Sequence, residues 1–206
     1  MDKGTVVIVV NGILNLPGSA SGWTDRAVTW FHTHTEARAE KFEYLALPLT
    51  RRLFQASRAR RLAELIDSYR GQRIILVGHS NGCDLITRAL RLTDTSIHAV
   101  HLIAAACESD FESNGLNLRL IDNAIGSVHV YIGERDWALK LAYYSSLVLS
   151  VFGLGYGSLG LTGPENLKNE QWKNTRVFVY RFPTYGHGTF FEKPVMPSIF
   201  QQIAQT

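Results

Sequence analysis

The segment Gly78-His79-Ser80-Asn81-Gly82 has the spacing G-x-S-x-G. It follows the apolar run 73–77 and precedes a helical pattern, so a sharp strand-to-helix turn is expected at the serine. Such a turn forces Ser80 into a strained backbone conformation and lifts its hydroxyl above the carboxyl end of the strand. The flanking glycines lack Cβ, which lets strand and helix approach closely. The helix that starts behind Ser80 offers free backbone N–H groups and the positive end of its dipole, and both favour an anion. The implied chemistry is nucleophilic attack by the serine oxygen, with the resulting oxyanion held at the helix start. His79, the residue before the nucleophile, is expected to pack beside the site.

Positioning such a turn requires a sheet. Six apolar runs recur, at 5–10, 42–47, 73–77, 97–105, 127–132 and 175–182. Most are near-continuous rather than alternating, which predicts burial on both faces, as in a parallel sheet. Between them lie segments of helical spacing: Trp23, Ala27, Trp30 and Phe31, then Leu62, Leu65, Ile66 and Tyr69, then Ile86, Ala89 and Leu90. A fourth helix is expected from Trp137 and a last one over 195–204. Strands alternating with helices predict βαβ units and a three-layer α/β/α sandwich around a mainly parallel six-stranded sheet. A chain of 206 residues suits one domain over 1–206. Charged residues make up 19%, which argues against disorder, collagen and coiled coil and for extensive burial.

With the serine turn set among these elements, the chain resembles the α/β-hydrolase family over nearly its whole length. That family places its strands, nucleophile, acid and base in this order. The resemblance implies a minimal α/β-hydrolase fold with Ser80 as nucleophile. The acid is expected just beyond the fifth strand, in Gly133-Glu134-Arg135-Asp136-Trp137, where Asp136 fits best. Glu134 is the reserve, and Asp110, after the fourth strand, is more distant. The base is expected after the sixth strand, and His187 is the only histidine downstream of it, between Gly186 and Gly188. The serine needs that base, and the base needs an orienting carboxylate. The resemblance also places a second oxyanion donor after the first strand, in Asn11-Gly12-Ile13, where the Ile13 backbone N–H would pair with that of Asn81. Asn11 stands where the family commonly has histidine. The implied activity is cleavage of carboxylic esters through an acyl-enzyme, without a cofactor and on a small acyl ester substrate. A thioesterase, acyltransferase or peptidase on the same triad is the nearest alternative, and a non-catalytic binding protein of the same fold is another.

The remaining features bear on substrate and setting. The interval between Ala106 and Ser127 is too short for a large lid, which favours short acyl chains. The longest stretch between strands, 137–174, is expected to shape the acyl pocket through Trp137, Tyr143 and Tyr144, together with Asn11, Gly12 and His79. No charged residue occurs over 141–161, but Gly153, Gly155, Gly157 and Gly160 crowd its second half. That pattern predicts a buried helix ending in a glycine-rich loop rather than a membrane span. His98, His101 and His129 lie in or beside strands and read as structural. His32 and His34, two apart and without partners, make no metal signature. The cluster Arg51, Arg52, Arg58, Arg60 and Arg61 reads as a solvated helix face. With a net charge of +3 and no interleaved aromatic residues, it does not indicate nucleic-acid binding. Cys83 and Cys107 form no disulfide framework, and the short β-branched run 5–10 is unlike a signal peptide. Both predict a cytoplasmic protein. Nothing in the sequence specifies an oligomeric state.

Overall fold

Strand β1, Thr5–Val10, shows why a continuous β-branched run forms a central strand: Val6 to Val10 are all buried, on alternating faces. The computed structural model describes residues 4–12, 22–44, 51–149 and 157–206; the side chains of 51–53 and 145–149 lie outside that description. The chain continues through α1 (Trp23–His34), β2 (Arg38–Phe42), α2 (Arg51–Ser68), β3 (Arg73–His79) and α3 (Asn81–Leu90). Then come β4 (Ile97–Ile103), α4 (Leu116–Ile121), β5 (Ile125–Gly133), α5 (Trp137–Leu149), α6 (Leu159–Thr162), β6 (Val177–Phe182) and α7 (Met196–Ala204).

The six strands are ordered β2-β1-β3-β4-β5-β6, and every pairing is parallel. The chain first steps from β1 outward to β2, then returns to β3 on the other side of β1. At such a reversal the loops leaving the two neighbouring strands diverge and open a crevice at their carboxyl ends. Here those neighbours are β1 and β3. Alternate residues of the strands feed two apolar layers. Val6, Ile8, Ile74, Leu76, Val100 and Val128 pack with α2, α3 and α4 on one face. Val7, Val9, Ile75, Val77, Ala99 and Tyr131 pack with α1 and α7 on the other.

Two expectations need correction. The second strand is not 42–47 but Arg38–Phe42, ending where the apolar run begins; residues 45–47 lie outside the described residues. This is an edge strand, so only Ala39 and Phe42 are buried while Lys41 is bound by Asp25 and Glu43. A strand paired on one side needs no continuous apolar run. The described side chains of the helix that opens the uncharged stretch, 137–144, are also mostly not buried. Trp137, Leu141 and Tyr144, at helical spacing on α5, are 72%, 62% and 63% exposed, and Leu139 points inward. The helix starts beyond the carboxyl end of β5 and packs on α6. Among the described residues no helix is long and apolar enough to cross a membrane. The chain then returns to the loop after β4, where Gly157 N–H donates to the Ala106 carbonyl and Gly160 N–H to that of Ala105.

Candidate active site

Ser80 is the hinge between β3 and α3. Its φ of 52° and ψ of −122° put a non-glycine residue in the left-handed half of backbone space, which costs on the order of 1–3 kcal/mol unless the surroundings enforce it. They do. The Ser80 N–H donates to the Ile103 carbonyl at 3.0 Å, and the Ser80 carbonyl accepts from Cys83 N–H and Ala106 N–H, both at 3.1 Å. The turn also needs its glycine. A Cβ on Gly82 would lie 2.5 Å from the Asn11 carbonyl oxygen and closer still to that of Val10. The start of α3 is thereby pressed against the end of β1. Among the described residues the Asn81 backbone N–H has no acceptor.

The loop after β1 lies over the serine. A Cβ on Gly12 would meet Ser80 Cβ at 2.9 Å and Ser80 Oγ at 3.5 Å, so only glycine lets the chain pass. Asn11 holds this loop. Its Oδ1 accepts from Gly12 N–H at 2.7 Å and from the Trp23 indole N–H at 2.6 Å. Its carbonyl accepts from the Tyr44 hydroxyl at 2.6 Å, and Asn81 Nδ2 donates to the same hydroxyl at 3.4 Å. Tyr44 is thus a strut between the β1 loop and the first turn of α3. Burial pushes its phenol up to about 12, which keeps the O–H available as a donor. Sequence reasoning missed Tyr44; the signal was a lone tyrosine just past a strand's carboxyl end, which the misplaced second strand concealed. Ile13, the other expected oxyanion donor, lies outside the described residues.

Asp136 is fully buried beyond β5. Its Oδ1 accepts from Leu139 N–H at 2.8 Å, as a helix-capping carboxylate does. Its Oδ2 accepts from His187 Nδ1 at 2.7 Å. This fixes the proton on Nδ1 and leaves Nε2 of the imidazole with a free lone pair. The structure therefore brings together Asp136 and His187, which are 51 residues apart. The two loops are also joined through their backbones: Arg135 N–H donates to the Tyr185 carbonyl and Glu134 N–H to that of Phe182. Glu134 itself is exposed. Asp110 is engaged in a turn of its own, where its carboxylate accepts from Glu112 N–H.

His79 connects the nucleophile strand to the base loop. Its Nε2–H donates to the His187 carbonyl at 3.0 Å, and the two rings lie 4.7 Å apart. Burial, then the neighbouring His187, depresses the His79 imidazole to about 3, so it stays neutral. Phe191 and Trp23, stacked 4.2 Å apart, hold it edge-on. The imidazole of His187 is about a quarter exposed, Ser80 is half-buried, and His79, next to Ser80 in the chain, sets its ring against that imidazole. The Ser80 hydroxyl makes no hydrogen bond among the described residues, so none joins it to His187. Tyr143 and Tyr144 contact each other edge-on, and Tyr144 and Trp137 are exposed on α5. A cavity of about 370 Å³ lies at the other end of the strands, lined by Thr5, Val7, Phe31, Arg73 and Ile75, and has no part in this chemistry.

No protein-family model and no curated sequence matches the chain. Solved structures do match its fold. The chain is similar to an α/β serine hydrolase without lid from Xanthomonas campestris, with 13% identity, coverage of 100% of this chain and 83% of that one, and a TM-score of 0.57. It is similar to α/β hydrolase domain-containing protein 10 from mouse, with 14% identity, coverage of 97% and 88%, and a TM-score of 0.57. It is also similar to carboxyl esterase 2 from Tuber melanosporum, with 14% identity, coverage of 99% and 78%, and a TM-score of 0.55. The all-parallel six-stranded sheet and these neighbours define the fold as that of a minimal α/β hydrolase.

Proposed function

We propose that this chain is a serine hydrolase that cleaves carboxylic esters with short acyl chains. The observation that carries the reading is the Asp136–His187 hydrogen bond, with the His187 carbonyl held by His79, the residue before a serine at positive φ. In this mechanism Ser80 Oγ attacks the ester carbonyl while His187 Nε2 takes the hydroxyl proton. The buried Asp136 carboxylate keeps the imidazole in the required tautomer and stabilises its protonated form. The tetrahedral oxyanion is held by the Asn81 N–H and, by the family resemblance, by the Ile13 N–H, a contribution of about 3 kcal/mol per donor. His187 then passes its proton to the departing alcohol, leaving Ser80 acylated. Water, deprotonated by the same imidazole, releases the carboxylic acid and restores the serine. The chain's own residues supply every proton transfer in this sequence.

Two measurements test the reading. A fluorophosphonate probe is expected to label the wild type at Ser80 and to leave Ser80→Ala unlabelled. Hydrolysis of a nitrophenyl ester series is expected to be fastest for short acyl chains and to vanish in His187→Ala. Labelling that persists in Ser80→Ala refutes the nucleophile, and a maximum at long acyl chains refutes the substrate range.

A further inference from the structure

The basic helix face expected from the sequence is not uniformly solvated. Arg60 and Arg61 are exposed on α2, but Arg58 is 8% exposed. Its guanidinium lies between two rings, 5.4 Å from the Tyr44 centroid and 5.6 Å from that of Phe54. Its Nη1 is buried and has no hydrogen-bond partner. Among the described residues no carboxylate forms an ion pair with it. Of the segments outside the described residues, 13–21, 45–50 and 150–156 contain no Asp or Glu, and 1–3 contains Asp2. Asp84, the carboxylate on the facing helix, is engaged by Gln55 Nε2 at 2.5 Å and by Arg88 Nε at 3.0 Å.

Among the described residues this buried cation has no countercharge, which is costly unless a ligand supplies the charge. Its setting points to that ligand's place. Arg58 lies against the face of Tyr44, and the hydroxyl of that same ring bonds to Asn11 and Asn81 at the serine turn. Two buried acceptors of this cluster, Asn81 Oδ1 and Gln55 Oε1, also lack partners. They would accept from the hydrogens of water carried in with a bound anion. Phe54, half exposed, leaves the guanidinium close to the surface on one side.

We propose that Arg58 forms an anion subsite one tyrosine ring from Ser80, selecting substrates that carry a carboxylate distal to the bond being cleaved. This rests on the ester-hydrolase reading for its catalytic consequence, but not for binding. A guanidinium fits a carboxylate through two parallel N–H donors, and the flanking rings hold its plane. The reaction remains hydrolysis: water adds across the ester, giving a free alcohol and a dicarboxylate in place of a half-ester.

The test has a binding arm and a kinetic arm. Isothermal titration compares adipate with its uncharged diamide on the wild type, Arg58→Met and Arg58→Lys. Adipate is expected to bind the wild type at least about tenfold more tightly than the diamide, to lose that advantage in Arg58→Met and to keep part of it in Arg58→Lys. In the kinetic arm, the ratio of kcat/KM for the mono-nitrophenyl ester of adipic acid to that for nitrophenyl hexanoate is expected to fall about tenfold or more in Arg58→Met. Adipate binding that is absent, or equal in the wild type and Arg58→Met, overturns the subsite and leaves Arg58 a structural residue holding only water. Hydrolysis of both esters with a ratio near one overturns it too, while leaving the hydrolase reading intact. Arg58-dependent adipate binding without hydrolysis of either ester upholds the subsite and refutes the hydrolase. Arg58→Lys guards against a folding defect, because it retains the charge.

Discussion

Lowering the pH from about 7.5 to about 5 titrates an unperturbed histidine almost completely, but three histidines of this fold cannot follow. His79 is depressed to about 3 and His129 to about 4, each by burial first, and His101 lies well below its ordinary value for the same reason. The last two occupy one rung of the sheet, where His101 pairs with His129 and His129 with Phe178. Their rings stack 4.4 Å apart, so protonating one opposes protonating the other. Each is already satisfied while neutral. His101 bonds to the hydroxyls of Tyr131 and Thr206, and His129 to those of Ser127 and Tyr180.

The sign follows from proton counting. The unfolded chain binds protons at these sites below about pH 6.5 and the folded chain does not, so stability falls as pH falls. The loss begins near 6.5 and continues until the folded values, about 4 for His129 and about 3 for His79, are reached. At about pH 5 each site costs about 2 kcal/mol, and three cost about 6 kcal/mol. That is a large share of a typical folding free energy of about 5–15 kcal/mol. Asp67, held low by hydrogen bonds from Thr93 and Thr95, works in the same direction but titrates below this window. Urea unfolding at a series of pH values measures the effect directly. The expected slope near about pH 5.5 corresponds to uptake of close to three protons on unfolding. In His129→Phe it should drop by about one proton. A slope of less than about one proton, or stability that is flat across the window, refutes the burial argument.

Three further outcomes follow from the site. Asp136→Asn should lower kcat by roughly a thousandfold or more, because the amide favours the wrong tautomer of His187; ester turnover together with an unchanged urea midpoint checks it. Gly82→Ala should destabilise by about 3 kcal/mol, since its Cβ would be driven into the carbonyls of Val10 and Asn11, and chemical denaturation reads this. Tyr44→Phe removes the bond to the Asn11 carbonyl at a cost near 1 kcal/mol in stability. Its larger effect should be on kcat rather than KM, because the strut acts on the loop over the serine.

The sequence made the central strands legible because burial on both faces leaves long runs such as Val6 to Val10, which have few alternative readings. It made the serine turn legible because close packing at Gly82 allows no side chain. Edge strand β2 was harder, since its pairing on one side tolerates Arg38, Glu40 and Lys41. The exposed face of α5 was harder still. A helix whose single charge is Lys140 looks buried by composition, and its position past the end of β5 leaves Trp137 and Leu141 in solvent. Arg58 was illegible for a related reason. A basic helix face is normally solvated, and this guanidinium is covered by Tyr44, past the end of the preceding strand, and by Phe54 on its own helix.

The loops that carry the candidate triad are held by groups that do none of its chemistry. Ser80 is fixed by backbone bonds to Ile103, Cys83 and Ala106, and the acid and base loops by backbone bonds from Glu134 and Arg135. His187 is reached from the nucleophile strand through its own carbonyl, by the neutral imidazole of His79. The positions of nucleophile, acid and base therefore do not depend on the triad's side-chain contacts with one another. Among the described residues the serine hydroxyl makes no bond that supports the fold, and the His187 imidazole makes one, to Asp136. Replacing Ser80 should therefore leave the turn intact, whereas replacing His187 leaves a buried carboxylate short of one donor. The two substitutions, equivalent for catalysis, should separate in stability, with His187→Ala the less stable by about 1–3 kcal/mol.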